Sequence, residues 1–203
     1  MKIFYIFLMV TVSFSAPAQK NKKRMDISAS AETRVSVVQA LGNNSLAKNF
    51  GTFYGFGFGG QLMTPINWGI SMDYNLLFSD VKFGRQNYYG NLGSSRLSET
   101  ALSIVHRDQP GNYFYIEESA GFAILRLNSS ITPGKEKYSE GKGGLSAGLK
   151  GVYSIDREDH QQFVFGLRAQ YYRSGVYNEN REIRKFYSHA WLAGVFFGYR
   201  YKF

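Results

Sequence analysis

The chain is 203 residues long, one domain's worth, with 17% aromatic residues, 22 glycines, 4 prolines and no cysteine. Lack of cysteine excludes a disulfide framework, thiolate chemistry and N-terminal lipidation, while a formal charge of +9 suits nucleic acid or an anionic membrane surface. A mean hydropathy of −0.28 resembles that of a soluble protein. A wall whose residues alternate between an apolar and a polar face averages near zero as well.

The first 18 residues combine a basic start at Lys2, an apolar run from Ile3 to Phe14 and the small-residue site Ala16-Pro17-Ala18. This reads as a secretory signal peptide, residues 1–18, cleaved after Ala18. Its apolar run of about a dozen residues is short of the roughly 20 that span a bilayer as a helix. A basic linker, residues 19–26, leads to residues 27–203, where no apolar stretch is long enough for a transmembrane helix. Any membrane insertion would be by strands.

From there the sequence alternates with period two. Ile27 to Val38 sets Thr33, Val35 and Val37 against Glu32, Arg34 and Ser36, and Leu41 to Phe50 follows as a loop rich in Gly, Asn and Ser. Thr52 to Met63 sets Tyr54, Phe56, Phe58 and Leu62 against Gly55, Gly57, Gly59 and Gln61, and ends in a tight turn at Thr64 to Asn67. Trp68 to Ser79 alternates Ile70, Met72, Tyr74 and Leu76 with Ser71, Asp73 and Asn75, before a long loop from Asp80 to Ser95. The fourth strand, Arg96 to His106, is weaker. A turn at Asp108 to Asn112 brings the fifth, Tyr113 to Arg126, whose face Phe114, Ile116, Ala120, Phe122 and Ile124 is apolar except for Glu118. Either a bulge turns both Glu117 and Glu118 inward or the register is shifted.

Asn128 to Gly143 reads as a third long loop. The sixth strand alternates Leu145, Ala147, Leu149 and Tyr153 with Ser146, Gly148, Lys150 and Ser154, and a short charged turn spans Asp156 to Gln161. The seventh puts Phe163, Phe165, Leu167 and Tyr171 opposite Val164, Gly166 and Arg168, and a fourth long loop covers Ser174 to Ser188. The last strand, Ala190 to Phe203, carries Trp191, Val195, Phe197, Tyr199, Tyr201 and Phe203 on one face and Gly194, Gly198, Arg200 and Lys202 on the other.

Eight strands of ten to fourteen residues, joined by alternating long and short connections, predict an all-β, eight-stranded antiparallel up-and-down transmembrane β-barrel. Its first, third, fifth and seventh connections would face outward. Tyr54, Tyr171 and Trp191 would sit in one interfacial aromatic girdle, with Trp68 and Tyr153 in the other. A soluble sandwich or lipocalin-like barrel is the competing architecture, and it would need a further apolar layer to cover these rows.

The signal peptide, eight alternating strands, long outer loops and the ending Tyr199, Tyr201, Phe203 resemble the small outer-membrane β-barrels. These include the OmpX-like proteins, the transmembrane part of OmpA, and the porin-family or PorT-like barrels of Bacteroidetes. The resemblance implies a bacterial outer-membrane location. It also implies that the terminal aromatic signature is read by the barrel-assembly machinery, and that lipid and lipopolysaccharide are partners. The chain stops at the eighth strand, so no wall-binding domain of the OmpA kind is expected.

An eight-stranded barrel has room inside mainly for side chains. Glu32, Arg34, Asp73, Glu117, Lys150, Arg168 and Arg200 are expected to point inward and pair as a plug. A gated ion path through the same residues is the alternative. Gly55, Gly57 and Gly60 match a dinucleotide fingerprint by spacing, but they lie within a strand with no helix after it. Neither cofactor, catalytic nor metal-binding residues are expected, nor nucleic acid as a partner. A lipid A-modifying enzyme remains an alternative function, for which His189, at the outer rim beside Ser188, is the histidine to consider; His106 and His160 fall at the periplasmic end. The loop cations Lys48, Lys82, Arg85, Lys135, Lys137, Lys142, Arg181, Arg184 and Lys185, with the loop tyrosines Tyr88, Tyr89 and Tyr187, are candidate contacts for lipopolysaccharide or a surface ligand.

Overall fold

The computed structural model describes residues 27–82, 84, 91–92, 95–132, 137–175, 177 and 179–203. The expected signal peptide and linker, Arg85, Tyr88, Tyr89 and Lys135, and the side chain of Lys137, lie outside the described residues. Eight long antiparallel strands form the wall: β1 (Ser28–Leu41), β2 (Phe53–Met63), β3 (Trp68–Ser79), β4 (Ser95–Asp108), β5 (Phe114–Thr132), β6 (Lys137–Ser154), β7 (Gln161–Arg173) and β8 (His189–Lys202). Each pairs with its neighbour in sequence, and β1 pairs with β8, so the sheet has closed on itself. Closure removes the edge that a terminal aromatic strand would otherwise expose.

The register fixes the shape. A ladder that begins at Trp68 runs through His106, Glu118, Leu149, Leu167, Val195, Val37 and Tyr54 and returns to β3 at Phe78, a stagger of ten residues (78 − 68). With a rise of about 3.3 Å per residue and a strand spacing of about 4.8 Å, this stagger tilts the strands by roughly 40°. Trp68 and Phe78 are then roughly 25 Å apart along the barrel axis, the height of a lipid-facing band.

The alternation separates two faces. Val35, Phe58, Met72, Ile104, Phe122, Leu167 and Phe197 are all exposed on the outside, whereas Arg34, Glu99, Glu117 and Arg200 are buried inside. The fifth strand keeps an unbroken register on both sides. Glu117 is buried and Glu118 is exposed on the outer face. Neither sequence-based expectation for this pair holds, because the strand has no bulge and its register is unshifted: one carboxylate stays outside.

Three long connections differ from the loops expected. Leu41 to Phe50 holds a one-turn helix α1 (Ser45–Asn49), whose N-terminus is capped by the Asn44 side chain. Ser174 to Ser188 holds α2 (Arg181–Ser188), capped by Asn180. The stretch from Asn128 to Gly143 is largely strand, because β5 and β6 stay paired as far as Ser130 and Lys137. Polar composition concealed it: Asn128-Ser129-Ser130 and Ser139-Glu140-Gly141 show no alternation of apolar and polar residues in the sequence.

The opposite end is closed by tight turns. In the β6–β7 turn Asp159 takes a left-handed conformation (φ 62°), which a short polar side chain tolerates. Its carboxylate accepts hydrogen bonds from Ser154 and from Gln162 (2.8 Å), and pairs with Lys202 at 2.7 Å. The Phe203 amide donates to the Ala29 carbonyl at 2.9 Å, so the end of β8 is fastened to the start of β1 at this rim. Burial pushes the Asp159 carboxyl up, but the hydrogen bonds from Lys202, Ser154 and Gln162 outweigh it and hold it below the ordinary aspartate range.

A folded-state pKa below the unfolded value stabilises the fold above about pH 4, and that contribution is lost as pH falls through the lower folded value. Urea unfolding in lipid vesicles across this range should show a larger acid-side loss in the parent protein than in Asp159→Asn. Identical pH profiles would remove the turn from the account of how the last strand is held.

Candidate functional site

Inward residues of all eight strands converge on one lattice of ion pairs and hydrogen bonds. Arg200 on β8 is fully buried and donates to Glu32 on β1 (Nη2 to Oε2, 2.9 Å), to Gln61 on β2 (3.0 Å) and to both carboxylate oxygens of Glu117 on β5 (2.8 Å each). Lys150 on β6 pairs with Glu32 at 2.9 Å and with Glu117 at 3.8 Å. Higher in the lumen, Arg34 bridges Glu32 (2.9 Å) and Asp73 of β3 (2.8 Å), and Arg168 on β7 bridges Asp73 (3.3 Å) and Glu99 on β4 (3.0 Å). Asn75 accepts from Arg34 at 3.2 Å and donates to Glu99 at 3.2 Å.

The seven residues expected to face inward thus lie in one connected set. Glu99 and Arg107 belong to it too, and sequence reading missed both. Arg107 reaches Glu117 at 2.6 Å. These two sit on the weakest strand, where the short apolar face did not settle which positions point inward. Their parity with Ala101 and Val105 was the available signal.

Small residues make the room. A side chain at Gly57 would collide with Asn75, one at Gly59 with Asp73, and one at Gly198 with Arg34. The glycines of β2 thus clear space for the charges of β3, and the dinucleotide spacing is incidental. One aromatic breaks the polar pattern of the last strand. Phe196 faces inward, and Arg34, Lys150 and Arg168 lie over its ring at 5.5, 5.9 and 5.6 Å. Such cation–π contacts favour a charge that has been taken out of water. Two lumenal cavities of about 10 Å³ each flank this ring, each at the limit for a single water.

Towards the long-loop end the interior changes character. Val38, Ala40, Phe53, Leu77, Leu97, Leu125 and Leu192 form an apolar cluster that Leu46 of α1 and Phe50 cover from above. The Lys82 ammonium donates to the Ala47 carbonyl of α1 (2.8 Å) and, like the residue as a whole, stays exposed. Lys142, expected among the loop cations, is instead buried on β6 and donates to the Tyr187 carbonyl (2.6 Å). Lys48, Arg181, Arg184, Lys185 and Tyr187 retain exposure to solvent.

On the outer wall Trp68, Tyr153 and Tyr201 are exposed near the short-turn rim, and Tyr54, Tyr171 and Trp191 lie near the other. Tyr171 and Trp191 pack with ring centroids 4.8 Å apart. Tyr199 donates to Gln161, and Tyr201 meets Phe203 edge-on. Trp68 lies against His106 at 4.7 Å, and His160 stacks on Tyr201. His189 caps the end of α2, and the Ser188 hydroxyl turns back to the Lys185 carbonyl (3.4 Å), so the two neighbours form no dyad.

No protein-family model matches the chain, and no curated protein matches it in sequence. Solved structures do match in fold. Neisserial surface protein A is 14% identical with a TM-score of 0.57, covering 87% of this chain and 97% of that one. OprG from Pseudomonas aeruginosa is 11% identical with a TM-score of 0.55, covering 89% and 97%. A major outer membrane protein from Thermus thermophilus is 15% identical with a TM-score of 0.54, covering 85% and 99%. The fold is that of the small outer-membrane β-barrels.

Removing one partner from a buried ion pair costs about 3–5 kcal/mol, whereas a carboxylate near the edge of the lipid face costs little. Glu117→Leu should therefore lower the unfolding free energy by about that amount, and Glu118→Leu should leave it unchanged or raise it by up to about 1 kcal/mol. Urea titration followed by tryptophan fluorescence separates the two. Equal losses would contradict the assignment of faces on β5.

Proposed function

We propose that this chain is a barrel of the bacterial outer membrane, lipid-embedded and non-enzymatic, with its short turns in the periplasm and its long connections outside. Its role is structural or surface-interacting, and its lumen is plugged. The observation that carries this reading is the pairing of an apolar outer wall about 25 Å tall with an interior whose charges are tied to one another around cavities of about 10 Å³.

The N-terminal 18 residues would direct secretion, and Tyr199, Tyr201 and Phe203 would present the terminal strand to the assembly machinery. The two aromatic rims would sit at the two membrane interfaces. An ion crossing the barrel would have to open both the Arg200 layer and the apolar cluster beneath α1. The exposed cations of α2, Arg181, Arg184 and Lys185, are the loop residues best placed for an acidic surface ligand. A lipid-modifying reaction would need a nucleophile beside a base at the outer rim, where Ser188 and His189 are turned apart.

Protein from purified outer membranes should run as a compact band that shifts when boiled, and deletion of Phe203 should weaken that band. Reconstituted into planar bilayers, the barrel should pass no steady current. Recovery in the soluble periplasm without a shift would overturn the membrane reading, and a steady unitary conductance would overturn the plug.

A further inference from the structure

Two small cavities follow one another along the axis of the lumen, each of about 10 Å³. The lower one is bounded by Ser71, Asp73 and Glu117, beside the layer that Arg200 makes with Glu117. The upper one is bounded by Ser36, Glu99 and Gln170, and by Val38 and Leu77 of the apolar cluster beneath α1. Arg168 and Phe196 belong to the walls of both. A space of this size takes one water, provided that the walls give it polar partners.

Both cavities supply them. Gln170 is buried in the upper wall, and its Nε2 has no acceptor among the described residues. A buried amide donor left without a partner is costly. A water in this cavity accepts from Gln170 and donates to the Glu99 carboxylate, which already receives Asn75 and Arg168. In the lower cavity the Ser71 hydroxyl and the carboxylates of Asp73 and Glu117 play the same part.

The ring between the two cavities offers water neither donor nor acceptor. Phe196 is paired with Ser36 on β1 and with Gly166 on β7. A Cβ at Gly166 would stand 2.6 Å from the ring's Cζ, so the ring lies across the β7 backbone in space that only glycine leaves. The cations over the ring are committed to carboxylates, Arg168 to Asp73 and Glu99, and Lys150 to Glu32 and Glu117. A water placed beside the ring would lack the partners that hold the other two.

We infer that each cavity binds one ordered water, and that Phe196 is the partition that keeps the two from joining into a file through the charged half of the lumen. The apolar cluster under α1 closes the other half, so the barrel carries two dry barriers rather than one. The inference rests on the plugged-lumen reading and names the side chain that keeps water from running through the lattice.

The test is high-resolution crystallography of the whole barrel, as parent, Phe196→Ala and Gln170→Leu, on proteins that keep heat-modifiable mobility. The parent should show one water in each cavity, the upper one within hydrogen-bond distance of Gln170 Nε2, and none beside the ring. In Phe196→Ala the space opened among Arg34, Lys150 and Arg168 is polar, so it should fill with water and link the two sites. Gln170→Leu should lose the upper water and keep the lower one. No water at Gln170 in the parent, two waters still apart in Phe196→Ala, or an upper water retained in Gln170→Leu would overturn the inference. A steady current through the parent in planar bilayers would refute the plugged lumen itself, whereas a current-tight parent whose waters run unbroken past the ring would refute the partition alone.

Discussion

Charge inside a narrow barrel has nowhere to be solvated, and the interior of this protein is arranged around that constraint. Arg200, fully buried, meets Glu32, Glu117 and Gln61 at 2.8–3.0 Å. Arg34 and Arg168 continue the pattern through Asp73 and Glu99. Glu32, Asp73 and Glu117 each serve more than one cation, which spreads the desolvation cost over a network. Because every strand contributes a member, the network also ties the register around the circumference: a slipped strand would leave a buried charge without a partner.

The interior is layered as well as charged. The lattice occupies the half nearer the short turns, and an apolar cluster fills the half beneath α1. A barrel this narrow could have been filled with either chemistry throughout. Here the charged half lies beside the strand that ends the chain, where Lys202, Asp159 and the Phe203 amide fasten the rim. The apolar half lies where long connections fold back and Leu46 and Phe50 can cap it. Phe196 marks the boundary, an aromatic ring with three cations over it.

The outer wall is not uniform either. Most of it is bulky and apolar, yet it carries Glu118 near one rim and Arg96, Arg126 and Arg173 near the other. The arginines stand on β4, β5 and β7, whereas the smallest wall residues, Ala147, Ala169 and Ala193, follow one ladder across β6, β7 and β8.

Period two in the residues was sufficient to reveal the eight strands, the alternating connections and the inward direction of Glu32, Arg34, Asp73, Lys150, Arg168 and Arg200, because a strand's faces are determined locally by the pleat. For the seventh inward residue, Glu117, period two does not separate it from Glu118, since one stretch cannot show whether a bulge relieves the pair. Other features lay beyond the sequence. Glu99 and Arg107 joined the lattice through contacts made across the lumen, Phe196 turned inward beside glycines that leave it space, and Lys142 moved from loop to buried strand because the β5–β6 hairpin extends past the wall. Which strands meet across the lumen depends on the ten-residue stagger of the closed sheet. Stagger is a property of all eight strands at once, so only the tertiary structure could decide it.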